Sequence, residues 1–226
     1  MASYKGHLAF AAPLGFVYGG MARSQLGFEA DTAMVGALLT TVGGLLPDLD
    51  SDSGVPVREL FSLAAVMVPL LMWRRLMNAH FTDESMFLFL AVVYLLIRFV
   101  ISRIFKHLSV HRGMYHSIPA MLIAGLIVFL AYQHPSMRVR LFLSVGVMIG
   151  FLSHLVLDEI YAVDLMGLVP KLNQFAGSAL KLKSDSWIAT LVTYSLLCAL
   201  GYLAWVSTGT AAWENAWTQT ITPLKK

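Results

Sequence analysis

Charged side chains are scarce in this sequence: Asp, Glu, Lys and Arg make up 13% of its 226 residues, against roughly 25% in soluble domains. Apolar residues account for 58% of the chain, and the mean hydropathy is +0.70. The shortage of charge excludes an ordinary soluble domain and predicts a polytopic membrane protein. Because each membrane span needs about 20 residues, residues 1–226 suffice for one helical bundle, and we expect a single domain.

Cysteine is nearly absent, and the basic charge is not concentrated in one stretch. The one cysteine, Cys198, cannot form a disulfide within the chain, so a disulfide scaffold is excluded. The formal net charge of +3 is spread over connecting segments, which argues against a nucleic-acid partner and is typical of loops that touch anionic lipid. Membrane lipids are the expected partners, and the sequence indicates no oligomeric state.

Long apolar runs dominate what is present, and they predict an all-α fold, a polytopic transmembrane helical bundle of six to seven helices. Only the fourth, sixth and seventh runs are comfortably long for a hydrocarbon layer of about 30 Å. The first run looks like a signal peptide but lacks a clear cleavage site, so we expect it in the mature protein. The runs cover about residues 7 to 20, 31 to 47, 60 to 77, 86 to 105, 118 to 133, 140 to 163 and 187 to 206.

Local chemistry predicts where several helices begin and end. Pro47 disfavours a helical conformation at Leu46 and is expected to end the second helix. Ser117, with Pro119 two residues later, is typical of a helix N-terminus. The stretch from Asp164 to Asp185 is amphipathic and is expected to lie along the membrane interface.

Histidines and aspartates cluster at the ends of the apolar runs, where ionisable groups are costly unless they have a partner. If all seven runs cross the membrane, helix polarity puts these clusters on one face. Basic residues divide almost equally between the two faces, so the positive-inside rule does not orient the chain. We interpret these clusters, with His7, as one metal site; they contain Asp48, Asp50, Asp52, His111, His116, His154 and Asp158.

Two of these clusters allow more than one interpretation. His154 and Asp158 are four residues apart, so on a helix they share one face and can bind one cation or form a hydrogen-bonded pair. Asp48, Asp50 and Asp52 suit a catalytic metal site, a calcium loop or a solvated acidic turn. A calcium loop needs glycine at its sixth position, where this chain has Ser53.

Arg112 and Ser117 are the residues predicted to contact a substrate. The Arg112 guanidinium can grip phosphate or carboxylate oxygens, and Ser117 with the first amides of the fifth helix can cradle an anion. Arg112 could equally be an interfacial arginine that contacts lipid headgroups.

The same motifs resemble a known family. Gly6-His7-Leu8, Gly43-Gly44-Leu45-Leu46-Pro47-Asp48-Leu49-Asp50, His111-Arg112-Gly113 with His116-Ser117, and Ser153-His154 with Asp158 are similar to the LexA-regulated inner-membrane proteins of the YdjM-like family, domain of unknown function 457. The resemblance runs from about residue 5 to 185, and residues 187 to 226 add a last transmembrane helix and a tail. It implies a multi-pass protein of the bacterial inner membrane and metal-dependent hydrolase activity. It also implies a set of metal ligands, namely His7, Asp48, Asp50, His111, His116, His154 and Asp158.

These observations predict a membrane-embedded hydrolase in which one or two divalent ions, zinc or manganese, activate water. Seven candidate ligands exceed the needs of one tetrahedral zinc, which favours two ions. A phosphoester of a lipid or lipid-linked molecule is the expected substrate. The alternative is a divalent-cation carrier or a metal-binding membrane protein without hydrolytic activity.

Overall fold

The structure, a computed structural model, describes residues 4–50, 54–78, 82–103, 116–161, 163–164, 171–172, 182–183 and 186–221. Over these ranges the chain forms seven α-helices, which confirms the all-α prediction and the higher helix count. The helices are α1 Tyr4–Ser24, α2 Ala30–Gly43, α3 Gly54–Asn78, α4 Asp83–Leu95, α5 Ile118–Ala131, α6 Met137–Tyr161 and α7 Trp187–Ile221.

Shorter elements connect and extend these helices. A 3₁₀ segment, Leu46–Asp50, follows α2, and a π-helical segment, Leu96–Ile101, prolongs α4. Two-residue strands at Val163–Asp164 and Lys171–Leu172 pair antiparallel after α6. The interfacial segment predicted from Asp164 to Asp185 lies mostly outside the described residues.

Among the described residues, three helices are long and apolar enough to cross a membrane: Asp83–Ile101, Met137–Tyr161 and Trp187–Gly209. They correspond to the fourth, sixth and seventh apolar runs of the sequence. The most apolar part of α6 is 56% buried, whereas the corresponding parts of α4 and α7 are 11% and 6% buried. We conclude that α6 is the central helix, and that α4 and α7 present their apolar side chains outward. Gly209, with φ of 60°, interrupts α7 in a backbone conformation that favours glycine.

The core forms where α1, α2 and α6 approach closely. A Cβ atom on Gly150 would collide with the Thr40 carbonyl oxygen, and one on Gly43 would collide with the backbone of Val147. These glycines therefore let α2 and α6 pack backbone to backbone, as small residues do between membrane helices. The Tyr18 hydroxyl ties α1 to the same core by donating to the Phe142 carbonyl at 2.7 Å.

The second helix ends earlier than its apolar run. The run extends to residue 47, but α2 stops at Gly43 and the chain continues as a turn and a 3₁₀ segment. Pro47 has no N–H to donate to the Gly43 carbonyl, and its ring would clash with that carbonyl in a continued helix. Pro47 therefore prevents the hydrogen bond to the carbonyl four residues earlier, and α2 ends there, at Gly43. Leu46, directly before Pro47, lies outside the α-helix.

Candidate metal centre

The central helix supplies two buried polar side chains of the candidate site. His154 and Asp158 are 1% and 3% exposed, and the four-residue spacing puts both on the same face of α6, as the sequence predicts. The His154 Nε2 atom lies 3.6 Å from Asp158 Oδ2.

The first helix adds a second imidazole to this pair. His7 is 2% exposed, and its Nε2 lies 3.3 Å from Asp158 Oδ1. Its ring is stacked on that of His154, with centroids 3.5 Å apart and planes inclined by 9°. His7, His154 and Asp158 therefore form an inner triad whose ligand atoms all lie within 4.8 Å of one another.

Two further candidate ligands come from connecting segments and form the rim of the cluster. Asp48, in the 3₁₀ segment after α2, places Oδ1 3.8 Å from His154 Nε2. His116, just before α5, places Nε2 3.8 Å from Asp158 Oδ2. The Asp48 and His116 side chains are 16% and 15% exposed, so the cluster opens outward on this side.

The orientation of the His154 ring is fixed by the end of α2. The His154 Nδ1 atom lies 2.8 Å from the Gly44 carbonyl oxygen, and since this oxygen can only accept, Nδ1 carries the proton. The Nε2 atom then bears a lone pair that faces the Asp48 and Asp158 carboxylates. Such a bond from the second ring nitrogen to a carbonyl is the usual support of a histidine that ligates a metal.

The arrangement fits a divalent metal ion. Within the described residues, neither His154 Nε2 nor His7 Nδ1 has a hydrogen-bond partner, although both atoms are buried. Two ligands of one tetrahedral zinc, each about 2.0–2.2 Å from it, lie roughly 3.3–3.6 Å apart, and the distances given above are similar. Imidazole nitrogens and carboxylate oxygens also suit zinc or manganese.

The other predicted site residues are placed as follows. Ser117 is fully buried and caps α5 by accepting a hydrogen bond from the Ala120 amide at 3.2 Å, so its hydroxyl serves the helix start that the sequence predicts. Asp50 ends the 3₁₀ segment, but its side chain is outside the described set. His111 and Arg112 also lie outside the described residues.

The Gly44 carbonyl is the functional group that sequence reasoning missed. Its signal was present in the spacing, because Pro47 ends α2 and the Asp48 amide bonds to the Leu45 carbonyl at 3.2 Å. The Asp48 amide therefore does not bond to the Gly44 carbonyl, and this carbonyl accepts a hydrogen bond from His154 instead. A main-chain group carries no residue-type signature, so only the predicted end of the helix could have indicated it.

Comparison with known protein families identifies the family to which the chain is similar. The model of the family described as YdjM inner membrane protein matches residues 1–222. No curated protein and no solved structure matches the chain.

Proposed function

Because this chain belongs to the YdjM inner membrane protein family, we propose that it is a multi-pass inner-membrane hydrolase that depends on a divalent metal. The inner triad of His7, His154 and Asp158 holds the ion, and Asp48 and His116 face the entrance. The observation that carries the proposal is the buried Nε2 lone pair of His154, which points at two carboxylates while Nδ1 is held by the Gly44 carbonyl.

An ion resolves the electrostatics of the cluster. A lone pair and two carboxylates that face one another in a buried site repel, and a buried charge requires a partner or a metal. A bound divalent cation would activate water and polarise a phosphoryl oxygen. The rim residues, Asp48 and His116, are the ones positioned to touch a water molecule or a substrate that enters from outside.

The shared position of His154 limits how one or two ions could be arranged. This residue belongs both to the inner triad and to the group it forms with Asp48 and His116. Since Nδ1 is engaged by Gly44, His154 can bind a single ion through Nε2. A second ion would need Asp158 as a bridge, because its Oδ1 faces His7 and its Oδ2 faces His154 and His116.

The proposed substrate is a phosphoester of a lipid or lipid-linked molecule. Asp158 lies within one turn of the C-terminal end of α6, a helix long enough to cross a membrane, so the cluster is at headgroup depth. Arg112, which follows directly on His111, is the proposed contact for the phosphate oxygens, with a planar fork suited to them.

Metal binding without turnover is the second candidate, and the burial of the inner triad favours it. Catalytic metal sites keep an open position, whereas structural ones are closed by protein ligands, and the three inner side chains are 1–3% exposed. The 15–16% exposure of His116 and Asp48 provides the opening that turnover needs.

Metal content and hydrolysis, measured on the same preparations, test the proposal. The purified protein is stripped with a chelator and reloaded with zinc or manganese, then incubated with a panel of lipid phosphoesters. We expect one or two ions per chain and release of phosphate or headgroup, and we expect hydrolysis to be lost in His154→Ala and Asp48→Asn. His134→Ala is the control, because His134 lies in the connection between α5 and α6, where its Nδ1 accepts from the Ser136 amide.

The outcomes separate the candidates. Hydrolysis lost in both cluster variants and kept in His134→Ala supports the hydrolase. Cation flux into liposomes without hydrolysis would support a carrier instead. Full metal retention by both cluster variants would contradict a metal role for these residues.

A further inference from the structure

A buried arginine lies near the opposite end of α6 from the metal cluster. Arg140 is 8% exposed, and it is fourteen residues from His154, or about 21 Å along a helix. Its Nε and Nη2 donate to the Phe129 carbonyl at 3.3 and 3.0 Å, and its Cζ lies 4.1 Å from the centroid of the Phe129 ring. None of the ion pairs between described residues includes Arg140.

An apolar groove begins at the same phenylalanine. It lies between α5, α6 and α7, encloses about 330 Å³, and includes Phe129, Leu141, Met148 and Trp205 in its lining. The one hydroxyl in the lining, that of Ser144, is already used in a 2.7 Å bond to the Gly125 carbonyl. Gly201 on α7 lines an open part of the groove, since a Cβ atom at this position would have no neighbour within 4 Å.

We propose that this groove and Arg140 form a phospholipid site in the leaflet opposite the metal cluster. One acyl chain occupies the groove, and the headgroup phosphate is bound by the guanidinium of Arg140. The site is separate from the proposed hydrolase centre and does not depend on it.

The chemistry of the two halves selects this ligand. A volume of about 330 Å³ is within the range of roughly 300–1,000 Å³ for small-molecule sites, and a lining without a free polar group suits a hydrocarbon chain. A guanidinium matches phosphate oxygens, and Arg140, in the first turn of a helix long enough to span the membrane, is at headgroup depth. Only a ligand with an apolar chain and an anionic headgroup is complementary to both the groove and Arg140.

One role of Arg140 is to cap the C-terminal end of α5. Phe129 is in the last turn of α5, where a basic side chain can bind the final carbonyls and interact favourably with the helix dipole. A single carbonyl carries only partial charge, however, and a buried full charge is usually paired with an opposite one. A phospholipid bound in the groove beside Phe129 would bring that opposite charge to Arg140.

Lipid binding to the full chain tests the proposal. The protein is purified in a mild detergent, washed free of lipid, and titrated with phosphatidylglycerol or with diacylglycerol of the same acyl chains, with bound lipid counted by native mass spectrometry. Gly201→Leu fills the groove, and Gly20→Leu is its control, because Gly20 on α1 also has open space around its Cβ position. Arg140→Gln removes the charge, and Arg138→Gln is its control, because Arg138 binds the Leu26 carbonyl.

We expect one tightly held phosphatidylglycerol per chain. Arg140→Gln should weaken binding about tenfold or more, because loss of a charge-assisted hydrogen bond typically costs that much. We expect a similar loss for Gly201→Leu, which removes apolar contacts with the acyl chain. Both control variants should stay within about twofold. Diacylglycerol should respond to Gly201→Leu but not to Arg140→Gln. Equal binding by site and control variants would overturn the proposal, as would a groove occupied by a second copy of the chain, seen as a dimer that Gly201→Leu dissociates.

Discussion

At the scale of single residues, Asp158 is the centre of the candidate site. Its two oxygens face different partners, Oδ1 towards His7 at 3.3 Å and Oδ2 towards His154 at 3.6 Å and His116 at 3.8 Å. A carboxylate that is 3% exposed depends on these imidazoles, on an ion, or on both to offset the cost of burial. Every imidazole described in the cluster thus meets the same carboxylate.

Replacing Asp158 with asparagine should keep the shape of the cluster and remove its central charge. We expect zinc affinity to fall by more than the roughly 10–100-fold that loss of a supporting residue costs at a metal site. Competition with a chromogenic chelator measures this change. Asp31→Asn is the matched control, since Asp31 is an exposed acid in the first turn of α2, and unchanged affinity in Asp158→Asn would remove Asp158 from the ligand set.

At the scale of elements, the end of α2 determines how the site is supported. Pro47 stops the helix at Gly43, the 3₁₀ turn that follows bypasses the Gly44 carbonyl, and that carbonyl orients His154. The same turn carries Asp48 to the rim of the cluster. One proline therefore affects both the position of Asp48 and the hydrogen bond that orients His154.

Pro47→Ala tests this coupling. The new amide can bond to the Gly43 carbonyl and extend α2, which would turn the Gly44 carbonyl into the helix and away from His154. We expect zinc affinity to drop roughly 10–100-fold, as for loss of an outer-shell bond, while the protein stays folded by circular dichroism in detergent. Pro69→Ala in the middle of α3 serves as the comparison, and equal affinities in the two variants would disprove the link between the turn and the site.

Sequence patterns predicted the elements better than their contacts. Hydrophobic runs identified all seven helices, and Ser117 with Pro119 marked the start of α5, because periodicity and capping are local properties of the chain. The four-residue spacing of His154 and Asp158 likewise fixed their common face. The stacking of His7 on His154 could not be predicted, because it depends on how closely α1 approaches α6. That distance is set by the packing of glycines and their neighbours elsewhere in the helices.

At the scale of the whole molecule, burial is unequal between the helices that could span a membrane. The central α6 is surrounded by α1, α2 and α5, whereas α4 and α7 leave large apolar side chains exposed, among them Phe87, Trp187 and Tyr202. This distribution is expected where lipid replaces water, because hydrocarbon around a helix is as apolar as a protein core. This arrangement supports the multi-pass topology proposed above.

Cysteine labelling checks that topology. In a Cys198→Ala background, single cysteines replace Gln25 and Pro135, which are exposed in the connections after α1 and α5, and Lys183, which is exposed shortly before α7. We expect a membrane-impermeant maleimide to reach the first two positions from one side of the membrane and the third from the other. Labelling of all three from the same side would contradict the crossing of α6.

The stack of His7 on His154 has a consequence for biosynthesis. His7 lies in α1 and His154 in α6, and chains grow at about 5–20 residues per second. The two rings therefore meet only some ten seconds later, on the order set by that rate, after most of the chain has been inserted. Loading of the proposed ion would therefore be a late event in the maturation of this protein, and α1 would stay in the bilayer with an uncoordinated imidazole until α6 has been translated.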